Sequence, residues 1–153
     1  MNRDDAIGLL VERDLALLTH ESREALLLDW WSIDADDLEY ERLPSHLKAE
    51  MRRTDGPSDP GLIIFDPLLQ IALRHTYVGV VNSYLEKELS YLGVNTVIQG
   101  DVEILMLCPC CGYRSLRENG GYEICPVCFW EDDGTTEIDN YSGPNHMTLC
   151  QAQ

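Results

Sequence analysis

The chain has 153 residues, and 44% of them are hydrophobic, which suits one globular domain or a domain with a small appendage. Twenty-seven Asp and Glu residues against eleven Lys and Arg give a formal net charge of −16. A field of this sign repels nucleic-acid phosphates and anionic membranes, so it argues against binding to either. The sequence contains no apolar run near the roughly 20 residues that cross a bilayer.

The first residues, MNRDDAIGLL, begin with acids and lack the basic and then apolar order of a secretory signal. We therefore expect a cytoplasmic protein. Thiols stay reduced in the cytoplasm, so paired Cys-x-x-Cys motifs there favour a bound metal over a disulfide.

Residues 1–93 have the pattern of an all-helical domain, because their apolar residues recur at helical spacing. The segment DADDLEYERL is predicted to form a short acidic helix that ends before Pro44. Gly93 stands where a left-handed C-terminal cap would end the last helix. The turn-forming stretch TDGPSDPG, 54–61, is predicted to be a surface loop. The predicted helices cover 4–18, 19–31, 34–43, 44–53, 66–77 and 78–93.

The pattern changes after residue 93. Residues 94–107, VNTVIQGDVEILML, are rich in β-branched and aliphatic residues around a Gly-Asp turn, and they predict connecting strands or a hairpin. The cysteine-rich part, 108–153, follows directly. The sequence therefore predicts the α+β class, with an N-terminal all-helical bundle followed by a small C-terminal β domain of the zinc-ribbon type.

The sequence has two cysteine clusters, CPCCGY and CPVCFW, and Cys125 of the second follows Cys111 of the first by fourteen residues. A tetrahedral zinc site takes four thiolates, and each knuckle of such a site supplies two of them, separated by two residues. Of the five thiols, Cys110 is left over and is expected to be free. The spacing predicts four metal ligands: Cys108, Cys111, Cys125 and Cys128.

The thirteen residues between the two knuckles, 112–124, are predicted to form one hairpin. Its turn would be ENGG, and its strands would be YRSL and YEI. This hairpin would bring the two knuckles together as in a zinc ribbon.

Structural zinc is the favoured interpretation of the four thiols, because a closed set of four sulfurs leaves no position for a catalytic water. Iron is an alternative, since CPCCGY also resembles a rubredoxin-type knuckle and thiolate cages accept either metal. Dithiol redox chemistry at Cys110 and Cys111 is a second alternative, although no thioredoxin-like pattern surrounds them.

From about residue 100 to residue 153 the chain resembles the cysteine-rich CPCC domain family, a small bacterial module, in the run CPCCGYRSL and in YEICPVCFWEDDG. The resemblance implies that the four predicted ligands hold a metal. In size and architecture, members resemble immunity proteins encoded beside antibacterial toxins. Thr148 and Gln151 are expected to form a capping box for a following helix.

The leading functional hypothesis is a non-enzymatic, acidic, zinc-binding protein that neutralises a cognate toxin. Its negative surface would complement a basic toxin domain, and Trp130 could anchor the contact. The alternative for each segment is an ordinary solvated acidic face, and for Trp130 it is packing against the knuckle. The candidate partner-binding residues are Asp34, Asp36, Asp37, Glu39, Glu41, Trp130, Glu131, Asp132 and Asp133.

Three other functions remain as alternatives: a rubredoxin-like iron electron carrier, a zinc-stabilised adaptor and an enzyme. An enzyme would use the carboxylates of 131–133 with histidines as bases, but the sequence has no nucleophile at a recognisable spacing and no phosphate-binding glycine loop. The four histidines are His20, His46, His75 and His146.

Overall fold

The computed structural model describes residues 1–153, which form two compact units, Met1–Asp101 and Val102–Gln153. The first unit is helical. The second contains two small antiparallel sheets of two strands each and a final helical turn. The predicted α+β class, with helices first and a small β part second, is confirmed.

Five helices build the first unit. They are α1 (Arg3–Leu17), α2 (His20–Trp30), α3 (Ser45–Arg53), α4 (Asp66–His75) and α5 (Asn82–Tyr91). Asn2 caps α1 and Thr19 caps α2, because the side-chain oxygen of each accepts the backbone N–H of the residue three positions later. Across the whole chain, no helix combines the length and the hydrophobicity that spanning a bilayer demands.

Helix α4 lies at the centre of the helical unit. It packs against both α1 and α2, while α1 also packs against α5. A proline in its first turn supplies the fixed φ angle that suits a helix start. Half of its residues are buried, and they contribute to two hydrophobic clusters, one that contains Phe65 and one that contains Leu85. The buried residues of α4 are Leu68, Leu69, Ile71, Ala72 and Leu73.

Two arginines of α1 join it to the start and the middle of α5. Arg3 is 6% exposed and donates to the side chain of Asn82 and to the carbonyl of Tyr77. Arg13 donates to the Glu88 carboxylate at 2.8 Å and to the Tyr77 hydroxyl at 3.2 Å. Hydrogen bonds to charged groups contribute more than neutral ones, so these contacts fix how α1 and α5 pair.

The predicted glycine cap of α5 is confirmed. Gly93 has φ +79°, its N–H donates to the carbonyl of Ser90, and the N–H of Val94 donates to the carbonyl of Leu89. This pair of bonds is the Schellman motif, which satisfies carbonyls that have no partner inside the helix.

The prediction of an acidic helix over 34–43 is wrong. Turns replace most of it, and the only helical piece is a 3₁₀ turn at Tyr40–Arg42. The N–H of Asp36 donates to the carboxylate of Asp34, whose own N–H donates to the carboxylate of Asp37. Short polar side chains that bond to nearby backbone in this way compete with helix formation.

The last helix of the first unit begins later than the predicted 78–93. Val78 and Val80 donate to carbonyls three residues back, as in a turn, and Val81 is extended, so α5 begins only at Asn82. The apolar period that suggested an earlier start also fits a turn whose side chains are partly buried.

Residues 94–107 do not pair with each other as the predicted strands or hairpin. Ile98 is buried in the helical unit, in the same hydrophobic cluster as Leu85, and Gln99 forms an isolated bridge with Asn2. The apolar residues that suggested a strand are therefore partly used in packing on helices. The one strand in this stretch is β1 (Met106–Leu107).

The second unit has four short strands. Strand β1 pairs antiparallel with β2 (Arg114–Leu116), and β3 (Tyr141–Ser142) pairs antiparallel with β4 (Met147–Thr148). Helix α6 (Leu149–Ala152) follows. The predicted capping box is confirmed, because the side chains of Thr148 and Gln151 each accept the backbone N–H of the other residue.

Two glycine replacements in the first unit should have opposite effects on its free energy of unfolding. Gly93→Ala should lower the free energy of unfolding by about 1 to 2 kcal/mol, because a side chain is disfavoured at positive φ. Gly8→Ala, inside α1, should raise it by about 0.5 to 1 kcal/mol, since its new methyl group meets only the movable end of the Arg74 side chain. Chemical denaturation measures both, and a stabilised Gly93→Ala variant would contradict the assigned cap.

Candidate metal centre

The first cysteine knuckle is the turn between β1 and β2. The N–H of Cys108 donates to the carbonyl of Tyr113 at 2.8 Å, and the N–H of Gly112 donates to the carbonyl of Cys108 at 2.9 Å. Gly112 has φ +74°, and a residue without a side chain adopts this conformation at little cost. The turn places the sulfurs of Cys108 and Cys111 on one side.

The second knuckle repeats this hydrogen-bond pattern seventeen residues later. The N–H of Cys125 donates to the carbonyl of Trp130, and the N–H of Phe129 donates to the carbonyl of Cys125. An antiparallel bridge between Ile124 and Glu131 closes its base. Phe129 takes the left-handed position with φ +63°, where the first knuckle has glycine. A bulky residue there is unusual, so the turn is held by its surroundings and not by local preference.

The two knuckles bring four sulfurs together. The ligand atoms of Cys108, Cys111, Cys125 and Cys128 all lie within 4.8 Å of one another. The Sγ atoms of Cys108 and Cys128 are 3.6 Å apart, and those of Cys111 and Cys125 are 3.7 Å apart.

These separations fit a metal and exclude a disulfide. A tetrahedral ion with metal–sulfur bonds of about 2.3 Å has sulfurs about 3.8 Å apart, whereas a disulfide bond is about 2.05 Å long. All six cysteines of the chain are free thiols. The fold therefore offers a four-sulfur site that can hold one metal ion, built from the four cysteines that the spacing predicted.

The expected hairpin between the knuckles is wrong in its pairing. YRSL does form a strand, but it pairs with β1 across the first knuckle, and Ile124 of YEI bridges to Glu131 across the second. Each knuckle is therefore the turn of its own small β unit. The hydrogen bonds within each knuckle reverse the chain at once, so the nearest strand partner lies on the other side of the same turn.

Two of the four cysteines belong to an apolar cluster. Cys108 is 1% exposed and Cys125 is fully buried, and they pack with Leu116, Trp130 and Leu149, whereas Cys111 and Cys128 are half-buried. A set of four sulfurs that is partly shielded in this way suits a structural ion better than a catalytic one, which needs an open position.

The thiols differ in how easily they ionise. Burial raises the pKa of Cys108 to about 12 and that of Cys128 to about 11. Burial also acts on Cys125, but hydrogen bonds from the Ser115 hydroxyl and from backbone amides outweigh it and lower the pKa to about 6. Cys125 is therefore the thiol best prepared to bind a metal as thiolate, and an incoming ion must displace protons from the other two.

The two remaining cysteines lie outside the four-sulfur group. Cys110 is half-buried and packs against the cluster, and its backbone carbonyl accepts a hydrogen bond from the Gln153 side chain at 3.0 Å. Cys150 is exposed near the C-terminus. The structure thus agrees with a free thiol at Cys110.

The two predicted acidic surfaces differ in how exposed their residues are. In the first unit, Asp34, Asp36, Asp37 and Glu41 are exposed and Glu39 is half-buried. In the second unit, Trp130 and Asp132 are 3% and 2% exposed, which removes them from any surface. The alternative interpretation of Trp130, packing against the knuckles, is the one that the structure supports.

The buried acid Asp132 holds two loops of the second unit together. The carboxylate of Asp132 accepts the N–H of Gly120 at 2.7 Å and that of Gly134 at 3.3 Å. The neighbouring Asp133 is half-buried, and its carboxylate accepts the hydroxyl of Ser142 at 2.9 Å. These carboxylates are used inside the fold.

Asn145 is a structural residue that the sequence analysis missed. Its side-chain oxygen accepts the N–H of Glu131, and its side-chain nitrogen donates to the carbonyl of Glu131 and to the hydroxyl of Ser142. It therefore replaces a strand partner beside the second knuckle. The Gly-Pro-Asn turn was a signal for a bend, but nothing in the sequence identified the residue that it contacts.

None of the four histidines belongs to the four-sulfur group. His20 lies on the surface with its Nε2 atom 3.4 Å from the Asp59 carboxylate, and His75 packs edge-on against Trp30. His146 adopts a left-handed conformation with φ +54° beside β4.

The second unit is thus a module of two knuckles whose four cysteines lie close enough to hold a metal ion. Residues 106–153 match the family model described as Cysteine-rich CPCC. The match lies within the second unit and supports the resemblance that the sequence indicated there. Neither the curated proteins nor the solved structures gave a match to this chain.

Replacing single cysteines should separate ligands from bystanders. Cys111→Ser or Cys128→Ser should reduce bound metal to well below one ion per chain, because three sulfurs no longer complete the tetrahedron. Cys110→Ser and Cys150→Ser are the matched controls and should keep one ion. Elemental analysis of the purified proteins gives the ratio, and an equal loss in all four variants would contradict the assignment.

Proposed function

We propose that the second unit holds one structural Zn²⁺ ion through four thiolates. The observation that carries this proposal is the set of four sulfurs, two of whose separations, 3.6 and 3.7 Å, match the edge of a zinc–thiolate tetrahedron. Iron would occupy the same set of ligands, and it stands as the alternative.

The ion would supply a large part of the stability of this unit. The unit spans residues 102–153, its strands have two or three residues each, and its buried core is small. Domains of this size often need a metal or disulfides, because their core buries too little apolar surface. Zinc binding then supplies folding free energy directly.

Metal content and chelation test this proposal. The purified protein should be colourless and carry one Zn²⁺ per chain, whereas a protein with iron–thiolate bonds would be coloured. Removing the ion with a strong chelator should unfold residues 102–153 and leave the far-ultraviolet helical signal of the first unit largely intact. Iron in place of zinc, or an unchanged second unit after chelation, would overturn the proposal.

We further propose that the protein acts without catalysis, by binding and neutralising a basic toxin domain. The support is charge and exposure: the net charge is −16, and four acids of the segment 34–41 are exposed. An acidic surface accelerates the encounter with a basic partner and disfavours acidic ones. Carboxylates at such a surface can occupy the phosphate positions of a basic catalytic cleft.

Co-expression with the product of the adjacent gene tests the partner. The two proteins should co-purify, and the association rate should fall as salt rises from about 0.05 to about 0.5 M, because ions screen the steering field. A partner that is not toxic by itself, or a pair that does not co-purify, would refute the inhibitor function. An association rate that ignores salt would refute the electrostatic part alone.

A further inference from the structure

The second knuckle exposes a group of large apolar side chains. The exposed fractions are 62% at Tyr122, 58% at Ile124, 52% at Val127 and 76% at Phe129. Exposed hydrophobic residues that stand alone are ordinary on protein surfaces, whereas a contiguous group of them marks a binding surface. These four residues lie within eight consecutive positions of one tight turn, and we call them the knuckle face.

The hairpin that carries the knuckle face has a buried side and an exposed side. The bridge between Ile124 and Glu131 makes these two residues direct partners across the hairpin. Side chains alternate along paired strands, so Ile124 and Glu131 share one side while their neighbours point to the other. On that other side Cys125, Trp130 and Asp132 are buried. The fold therefore fixes the hairpin from within and leaves its outer side uncovered.

Phe129 is the residue of this face that the fold itself explains least. Its φ angle is +63°, in the left-handed region, where the first knuckle has Gly112 with φ +74°. Glycine adopts this conformation at little cost, whereas a side chain is disfavoured there. A ring that is largely exposed gains little from packing inside the chain to offset that cost. Residues held in such conformations cluster at functional sites, so Phe129 points to a contact outside the chain.

Charge decides what kind of partner can cover this face. The unit Val102–Gln153 carries eight acids and two bases, a net charge of −6. One of these acids, Glu131, lies opposite Ile124, and its hydrogen bonds in the structure are made by its backbone N–H and carbonyl. A second copy of this acidic chain would be repelled by such a field, whereas a basic partner would be attracted.

We propose that the knuckle face binds a basic segment of the protein partner in which apolar residues stand between lysines or arginines. The inference rests on the proposed function, since it identifies a contact surface for the basic toxin domain. Apolar side chains of that segment would cover Ile124 and Phe129 and remove them from water. A neighbouring cation would lie with its aliphatic stem along the same surface and its charge at the Glu131 carboxylate. A purely polar segment would leave the apolar side chains in water.

Titration of the full chain as purified with a hexapeptide of alternating lysine and leucine, acetylated and amidated, tests the face without the partner. Followed by NMR, the backbone amides of 122–131 should shift together and saturate. A hexapeptide of alternating lysine and serine has the same charge and should bind about tenfold more weakly, because it buries little apolar surface. Equal binding of the two peptides, or shifts scattered over both units, would overturn the proposal.

The variant Phe129→Gly separates a role in binding from a role in folding. It should weaken binding of the lysine–leucine peptide by about tenfold, as loss of an aromatic contact at the centre of an interface does. It should keep the metal content and should not lower the denaturation midpoint, because glycine suits this φ angle. Ile63→Ser is the matched control, since it removes a side chain that is 81% exposed in the first unit, and it should leave binding unchanged. Unchanged affinity in Phe129→Gly, or an equal loss in Ile63→Ser, would refute the proposal.

Two further measurements test the charge and the alternative occupant. Glu131→Gln should weaken peptide binding by about threefold, while Glu137→Gln, at an exposed position of the same unit, changes the net charge equally and should have little effect. An equal effect of both would mean that only overall charge matters, and the assigned contact would fail. Sedimentation should find the unmodified protein monomeric. A dimer that Phe129→Gly dissociates would show that a second copy covers the face instead.

The partner assay distinguishes this proposal from the proposed function. If the unmodified protein co-purifies with its partner and the Phe129→Gly variant does so with equal affinity, the knuckle face is not the contact and the inhibitor function stands. If the unmodified protein finds no partner at all, the inhibitor function fails, and the titration still decides whether the face binds a basic segment with apolar residues.

Discussion

The meeting of four cysteine sulfurs is the constraint on which the second unit depends. Its strands are two or three residues long, and its buried cluster consists largely of the cysteines themselves with Leu116, Trp130 and Leu149. Strands this short cannot hold a sheet together by their own hydrogen bonds. The two knuckles position the sulfurs, and the ion that we propose would in turn hold the two knuckles against each other.

The knuckles were predictable from sequence because their chemistry is local. Two cysteines separated by two residues, with proline after the first, favour a knuckle turn, and the sequence has two such pairs. The strands do not pair as the single hairpin between the knuckles that we predicted. We expected YRSL and YEI to pair across ENGG, but each knuckle reverses the chain within six residues, so each strand finds its partner on the near side of its own turn.

In the helical unit, too, features that depend on neighbouring residues were predictable, and features that depend on distant contacts were not. The α5 cap at Gly93 was visible in the sequence, since the residues that make it lie within one turn of the helix end. We predicted a helix over 34–43, but the carboxylates of Asp34 and Asp37 accept the N–H groups of nearby residues and hold most of this segment in turns. Nor could the sequence show that Ile98 packs among helices, because that requires the position of α5.

Acidic residues serve two different purposes in this chain. Unit Met1–Asp101 carries nineteen acids and nine bases, and unit Val102–Gln153 carries eight and two, so both are negative. Four thiolates with one Zn²⁺ would add about −2 to the second unit. Its acids at 132 and 133 are buried or half-buried and accept hydrogen bonds within the fold, whereas four of the five acids of 34–41 are exposed. The carboxylates of Asp34 and Asp37 also accept nearby backbone N–H groups, but they keep open acceptor positions. This difference decides where recognition should be sought.

A carboxylate whose acceptor positions are filled by the protein's own N–H groups has little left to offer a partner, and drawing it away would cost the fold its loop contacts. A carboxylate with most of its acceptor positions open to water loses less when it exchanges that water for a basic group of a partner. From the sequence, both acidic segments were equally good candidates for a binding surface, because they contain similar numbers of acids and their burial was unknown. Burial therefore leaves the acids of 34–41 more accessible to a partner of the kind that we propose than those at 132 and 133.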